Sequence, residues 1–257
     1  DILDSLEAND KIIVEGSTGS GKTTQICLAL AEKGYKVYIS QPRILAAREV
    51  AEYLRRYLAP IMGEENARNF VGYSTEPETD THPDNRIVFA TDGKLRRRLL
   101  YDQDLEQDIV VIADEVHEMT VDTELLVATT VLLDGLKTIY QSASCDTERL
   151  AEYTLNSTTQ DEVPIISIEG RIHEIDEIRG GSMSYEIAKY GDAGNVVLGF
   201  VDTKDDVNRM VNKVRGKLNN KNIAVLALHG DQTPEEQRKV FDNYPNGKII
   251  IATSIAE

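Results

Sequence analysis

The sequence predicts an α/β protein in which parallel sheets carry helices on both faces. Short apolar runs rich in β-branched residues, such as Ile109–Ala113 (IVVIA), are typical of strands buried on both sides. Longer segments of helical period separate these runs, and this alternation favours parallel strands joined by crossover helices. The pattern breaks at a polar stretch over residues 156–161 and then restarts, which indicates two such lobes in the chain.

We predict that the first lobe covers residues 1–150. Gly34 is expected to stop the first helix and Pro60 to end the second, because proline disrupts a helix interior. The predicted strands are Lys11–Glu15, Lys36–Ser40, Arg86–Ala90, Ile109–Ala113 and Thr138–Ser142. The predicted helices are Thr23–Lys33, Ile44–Leu58, Gly93–Tyr101 and Thr123–Leu133.

We predict that the second lobe covers residues 160–257 and is incomplete. Val163–Ile168 and Ile172–Ile178 are expected to be connecting strands, and Gly180-Gly181-Ser182 a turn or hinge. Strands and helices are then expected to alternate, in the order Asn195–Val201, Lys204–Leu218, Ile223–Leu228, Pro234–Phe241 and Lys248–Ala252.

The composition indicates a folded intracellular protein, cytoplasmic or nuclear. The chain has 257 residues, 41% of them hydrophobic, which allows one large core or two modest ones. Cys27 and Cys145 match no disulfide framework and no metal spacing, and no apolar run approaches the roughly 18 residues that span a bilayer. The start lacks the basic region of a signal peptide, and the absence of an initial Met indicates a piece of a longer protein.

The net charge of −16 makes the chain a poor bulk match for nucleic acid, whose non-specific binding comes from neutralised phosphates. A local basic groove remains compatible with this charge, because net charge does not fix local contacts. The compact basic runs are Arg55-Arg56 and Lys94–Arg98 (KLRRR). The second run predicts either a nucleic-acid contact or a solvated helix face above a buried Leu99-Leu100.

A phosphate-binding loop is predicted at Gly16–Thr23 (GSTGSGKT), which matches G-x-x-x-x-G-K-[ST] between a strand and a helix. Its glycines let successive N–H groups face an anion, so ATP or another nucleoside triphosphate is the expected ligand. Lys22 is expected to reach the β- and γ-phosphates, and the Thr23 hydroxyl to bind Mg²⁺. A chance glycine-rich turn is the alternative. The expected nucleotide-binding residues here are Gly16, Ser17, Thr18, Gly19, Ser20, Gly21, Lys22, Thr23 and Thr24.

Two acidic residues follow the predicted strand Ile109–Ala113, where open α/β sheets place ligands. Asp114 is expected to bind Mg²⁺, directly or through water, and Glu115 to orient and deprotonate the attacking water at the metal side of the site. His117 is a candidate to link nucleotide state to the second lobe by hydrogen bonding. The alternative is a solvated acidic start of a helix.

These motifs and several further segments, in this order, resemble the DEAH/DExH-box helicases of superfamily 2 over nearly the whole chain. The further segments are Gln41-Pro42-Arg43 with Ala46–Ala51, Thr91–Leu95, Ser142–Ser144, Leu228–Gly230 with Gln237, Arg238 and Phe241, and Ala252–Glu257.

The resemblance implies two RecA-like lobes with the nucleotide in the cleft between them. It also implies an NTP-driven motor that moves 3′→5′ along single-stranded nucleic acid, most often RNA. Arg43, Thr91 and Thr253 would contact the nucleic-acid backbone. Because no motif encodes contacts to a 2′-hydroxyl, the choice between RNA and DNA stays open.

Three further roles follow from the same resemblance. Ser142 and Ser144 would couple hydrolysis to lobe movement, and Phe241 would stack on the base of the nucleotide. The family's motif VI, with its arginines, would lie beyond Glu257, so we expect this piece alone to be a weak ATPase.

Other features leave alternatives open. The second motif has Val116 where the family name has alanine, as some viral RNA helicases do, which favours a viral or divergent member. The connection from Ile178 to Asn195 is short for the family. A motor that translocates without unwinding, an ATP-gated binding module and a plain phosphate-loop kinase are the rival interpretations.

Overall fold

The computed structural model describes residues 2–17, 21–76, 78–101, 108–143, 147–154, 163–168 and 176–254. The predicted site and motif residues at positions 18–20, 144 and 255–257 lie outside these ranges. The chain forms two compact units, Asp1–His173 and Glu174–Glu257.

The first unit is built on an eight-stranded sheet in the order β4-β3-β5-β2-β6-β7-β1-β8. Neighbouring strands are parallel, except that β4 pairs antiparallel with β3. The strands are β1 (Lys11–Gly16), β2 (Lys36–Gln41), β3 (Val71–Ser74), β4 (Thr79–Asp80), β5 (Ile87–Thr91), β6 (Ile109–Ala113), β7 (Lys137–Ser142) and β8 (Ile165–Ile168).

Helices cover both faces of this sheet, which is why its central strands β2, β6 and β7 are buried without alternation. One face packs against four helices, namely α1 (Ile2–Ala8), α2 (Lys22–Glu32), α3 (Ile44–Met62) and α4 (Glu64–Phe70). The other face packs against α5 (Asp92–Tyr101), α6 (Val121–Leu132) and α7 (Thr147–Thr154).

The second unit has a three-stranded parallel sheet in the order β10-β11-β9. Its core forms between these strands and helices α8 and α9. The strands are β9 (Val197–Phe200), β10 (Ala224–Leu228) and β11 (Lys248–Ala252), and the helices are α8 (Met183–Asp192), α9 (Lys204–Lys217) and α10 (Pro234–Arg238). Thr233 and Glu236 close a capping box at the start of α10, which fixes that short helix.

The predicted fold class is confirmed: the structure is α/β with mostly parallel sheets. Helix α3 does not end before Pro60 but continues to Met62, so that prediction is wrong. Pro60 lies in the last turn, and the helix stops at Gly63, whose φ of 87° belongs to the left-handed region. The helix predicted over Pro234–Phe241 divides into α10 and a 3₁₀ turn at Lys239–Phe241.

The strand expected to connect the lobes belongs to the first unit. Ile165–Ile168 pairs in parallel with β1, in register from Ile13 to Gly16. Part of the strand predicted over Ile172–Ile178 lies outside the described residues, and residues 176–178 form no strand. The strand Ile165–Ile168 thus lies in the first compact unit, whereas the second lobe is predicted to start at residue 160.

Candidate nucleotide site and nucleic-acid contacts

The strand order places four chemically important positions side by side. β2, β6, β7 and β1 are consecutive neighbours, and the carboxyl ends of parallel strands meet at one edge of a sheet. Gln41 ends β2, Asp114 follows β6, Gln141 lies one residue before the end of β7, and Thr23 follows β1 in the first turn of α2. Their side chains converge at this edge.

Lys22 opens helix α2 and folds its side chain back over the start of the loop. Its Nζ donates to the carbonyl oxygens of Gly16 and Ser17, the latter at 2.8 Å. Gly21 caps the helix with a φ of 80°, which favours glycine. A Cβ on Gly16 would lie only 2.9 Å from the carbonyl oxygen of Ile168. Strand β8 therefore leaves no room for a side chain at the end of β1. The Thr24 hydroxyl donates to the Gly21 carbonyl at 3.2 Å.

Asp114 is the centre of a buried hydrogen-bond network and is 3% exposed. Its Oδ2 accepts from the Thr23 hydroxyl at 2.7 Å and from the Gln41 amide at 2.6 Å. Its Oδ1 accepts from the backbone N–H of Glu115 at 3.0 Å. Burial raises the pKa of the Asp114 carboxyl, although these hydrogen bonds oppose the rise.

Glu115 has an unusual backbone for its residue type, with a φ of 52° in the left-handed region. Burial, followed by the neighbouring charge of Asp114, raises the pKa of its carboxyl. Nδ1 of His117 lies 3.2 Å from Glu115 Oε2, at an angle that does not form a hydrogen bond. The network around Asp114 therefore ends at a half-buried carboxylate with raised basicity.

Sequence reasoning missed Gln141 and gave no role to Gln41. Gln141 is fully buried, and its Oε1 accepts from the Thr23 hydroxyl at 3.3 Å. Its Nε2 has no hydrogen-bond partner among the described residues. A glutamine inside a buried strand is the signal that points to such a residue, since buried amides need partners.

These oxygens fit a magnesium ion. Mg²⁺ prefers hard oxygen ligands and is held by one or two protein groups together with substrate phosphates. The Thr23 hydroxyl and the Asp114 carboxylate supply two such groups, 2.7 Å apart beside Lys22. Among the described residues no group of three or more His, Cys, Asp or Glu side chains could hold a metal by itself.

The candidate nucleic-acid residues lie at the same type of position in each unit. Arg43 precedes α3 and pairs with Glu118 at 3.4 Å, and Thr91 is the last residue of β5. In the second unit, Thr253 follows β11 and its N–H donates to the Leu228 carbonyl at 3.1 Å. Phe241 ends the 3₁₀ turn and is 45% exposed.

Two further buried polar residues lie at the ends of elements in the first unit. Ser142, the last residue of β7, is buried. Asp92, the first residue of α5, is buried as well, and its Oδ2 accepts from the Thr123 hydroxyl at 2.5 Å. Burial raises the pKa of the Asp92 carboxyl. Asp92 thereby ties α5, which follows Thr91 directly, to α6.

Comparison with known families agrees with this geometry. The DEAD/DEAH box helicase profile matches residues 1–152, more than half of the chain. The chain belongs to the DEAD/DEAH-box helicase family. The helicase conserved C-terminal domain matches residues 183–257, which lie in the second unit.

Individual relatives of this DEAD/DEAH-box chain are much longer than the part that matches. The ATP-dependent RNA helicase HrpA of Borreliella burgdorferi is 28% identical over 100% of this chain and 33% of its own length. The Caenorhabditis elegans protein named "Probable ATP-dependent RNA helicase DHX35 homolog" is 30% identical over 100% of this chain and 38% of its own length. The crystal structure of the Escherichia coli DEAH/RHA helicase HrpB matches with a TM-score of 0.75 at 25% identity, over 99% of this chain and 34% of HrpB.

The chain thus spans a third or slightly more of the proteins that it matches. None of the helices in the described ranges has the length and hydrophobicity needed to cross a membrane.

Proposed function

We propose that this chain is the motor part of an ATP-dependent RNA helicase, which hydrolyses ATP with Mg²⁺ to move along single-stranded RNA. The observation that carries the proposal is the 2.7 Å contact between Thr23 and Asp114 beside Lys22. A phosphate loop and an acidic strand end joined in this way provide the two protein ligands of the magnesium ion in phosphate-loop NTPases.

The residues divide the work of hydrolysis. Lys22 would leave the Gly16 and Ser17 carbonyls to bind the β- and γ-phosphates. Thr23 and Asp114 would hold Mg²⁺, which when bound neutralises charge on the phosphate oxygens. Glu115 would take a proton from the attacking water. The oxygen of this water bonds to the γ-phosphorus, while the bond between the γ-phosphorus and the β–γ bridging oxygen breaks. The raised pKa of Glu115 suits a general base.

The nucleic-acid part of the proposal has separate support. Arg43 and Thr91 occupy the carboxyl edge of the first sheet, and both can contact phosphates without reading sequence. The relatives named above are RNA helicases, which favours RNA as the strand. We propose Asp1–His173 and Glu174–Glu257 as the two helicase lobes, with Thr253 and Phe241 acting from the second.

Glu115→Gln tests the assignment of the general base. The amide keeps the shape of the side chain but cannot accept a proton, so ATP should still bind while hydrolysis falls by about 10²–10⁴-fold. Steady-state phosphate release and fluorescent-nucleotide affinity measure the two effects. Glu124→Gln, an exposed substitution on α6, is the matched control and should keep the parent rate. Parental turnover in Glu115→Gln would remove Glu115 from the mechanism.

A further inference from the structure

A groove runs along α5 on the side that faces β3, and we call it the α5 groove. It has a volume of about 360 Å³. Its floor consists of side chains from the sheet, including Tyr38 and Val88. Its wall is α5, which contributes Lys94, Arg97 and Arg98. Four of the five residues of the KLRRR run, all except Arg96, therefore line this groove.

Burial tests one of the two expectations for the KLRRR run, the solvated helix face, and that expectation is met only in part. Leu95 and Leu99 are buried beneath the helix, as a solvated helix face requires, whereas Leu100 is 51% exposed and not buried as expected. Lys94, Arg97 and Arg98 line the groove together with Leu95. In a chain of net charge −16, three cations on two turns of one helix form a local positive site, which can steer a polyanion.

Aromatic rings accompany these charges. The Arg98 guanidinium lies over the Tyr38 ring, 4.7 Å from its centre. Tyr101, at the end of the helix, also lines the groove and is 77% exposed. A basic groove with an exposed ring fits single-stranded nucleic acid, because the phosphates meet the cations and a base stacks on the ring.

A carboxylate of the chain itself pairs with two of the cations that line the groove. Glu76 lies 3.1 Å from the Lys94 ammonium and 3.7 Å from the Arg97 guanidinium. The hydrogen bond from Lys94 lowers the pKa of Glu76. The Thr75 hydroxyl and N–H both donate to the Glu78 carbonyl, at 2.7 and 2.9 Å, and this turn presents Glu76 to α5. These cations thus already bind an anionic oxygen.

We propose that the α5 groove is a second RNA-contact site, which binds the strand beyond Thr91 and in which Glu76 competes with RNA phosphate for Lys94 and Arg97. Tyr101 stacks on a base at the far end. Helix α5 begins directly after Thr91, so a strand held at Thr91 meets Lys94 one turn further on. The site rests on the proposed function, because it extends the RNA path assigned there.

This continuity with Thr91 favours RNA over an acidic peptide as the occupant. An acidic peptide would satisfy the cations but has no reason to enter from the carboxyl edge of the sheet. The exposed Tyr101 ring also provides a stacking surface that every base can use.

Substitutions with opposite expected signs test the groove. Glu76→Gln removes the competitor, and because exposed ion pairs are weak, affinity for RNA should rise by about two- to fivefold. Arg97→Ala should weaken binding and lower the slope of log affinity against log salt by about 1. Tyr101→Ala should weaken binding at least fivefold. Fluorescence anisotropy of a labelled single-stranded oligoribonucleotide with the 257-residue chain measures all three.

The controls separate the groove from the motor. Arg209→Ala removes an equally exposed arginine that pairs with Asp206 on α9, and RNA affinity should not change. Melting temperatures verify that each variant is folded. If the parent chain binds RNA but Glu76→Gln, Arg97→Ala and Tyr101→Ala all equal it, the groove proposal fails while the proposed function stands. If the parent binds no RNA, the proposed function fails first. Displacement of the oligoribonucleotide by poly-glutamate at equal charge would favour an acidic peptide and overturn the RNA assignment.

Discussion

The nucleotide site and the α5 groove lie in the same unit and suit the same chemical group, a phosphate, but they are built in opposite ways. At the nucleotide site, Asp114 is almost fully buried and bonded to neutral hydroxyl and amide groups of Thr23 and Gln41. In the groove, Lys94 and Arg97 meet solvent and pair with the exposed Glu76. The nucleotide site holds the Asp114 carboxylate in a fixed geometry. The α5 groove is proposed to exchange the Glu76 carboxylate for an RNA phosphate.

This difference predicts different sensitivities. Buried charges are screened little by salt, and losing one partner leaves another group without compensation. Exposed ion pairs are weak, screened by salt and tolerant of substitution. Substitutions at the nucleotide site should therefore have large effects that depend little on salt, and those in the groove small effects that vary strongly with it.

Lys22→Ala should have the largest effect. It removes charge-assisted hydrogen bonds to two phosphates, each worth about 1.5–3 kcal/mol, so nucleotide affinity should fall at least about 100-fold. Titration with a fluorescent ATP analogue measures the loss. Lys33→Ala, at the other end of α2, is the control and should bind as the parent does. An affinity within a few fold of the parent would contradict the assigned role of Lys22.

Gln41→Leu should have an intermediate effect that appears with magnesium. It removes the amide that donates to Asp114 at 2.6 Å, so the buried carboxylate loses a hydrogen bond. The expected cost of this loss is about 1–3 kcal/mol. Affinity for Mg²⁺–nucleotide should fall by about 5–100-fold, whereas affinity measured in EDTA should change little. Equal losses in both conditions would show that Gln41 supports the fold rather than the orientation of Asp114.

Asp92→Asn should have the smallest effect, and the size of this effect depends on pH. Because burial raises the pKa of Asp92 in the folded chain, its ionisation destabilises the folded state. This penalty is absent below the ordinary carboxyl pKa and grows as pH rises through the raised pKa. Asp92→Asn lacks the penalty, so its melting temperature relative to the parent should increase between pH 4 and 7.5. A difference that stays constant over this range would exclude the titration of Asp92.

Much of the site was predictable because its signals are local. The apolar run of β6 and the residues Asp114 and Glu115 are contiguous, and so are β1, Lys22 and Thr23. The contact between the two segments follows once parallel strands are assumed, because carboxyl ends share an edge.

The remainder depends on information that is not local. The approach of Gln141 to Thr23 requires β7 to lie next to β1, and the order of strands in a sheet cannot be read from periodicity. The helices α4 and α8 were not predicted, and α4, with seven residues, is too short for a clear apolar period. The α5 groove could not be predicted either, because it depends on how α5 packs beside β3, although its cations are evident in the sequence.

The left-handed backbone of Glu115 has a consequence for how this chain can change. A non-glycine residue in this conformation costs roughly 1–2 kcal/mol, which glycine would avoid. Selection for thermal stability alone would therefore favour glycine at position 115, and with it the loss of the carboxylate assigned to hydrolysis. Selection for stability and selection for hydrolysis therefore favour different residues at position 115.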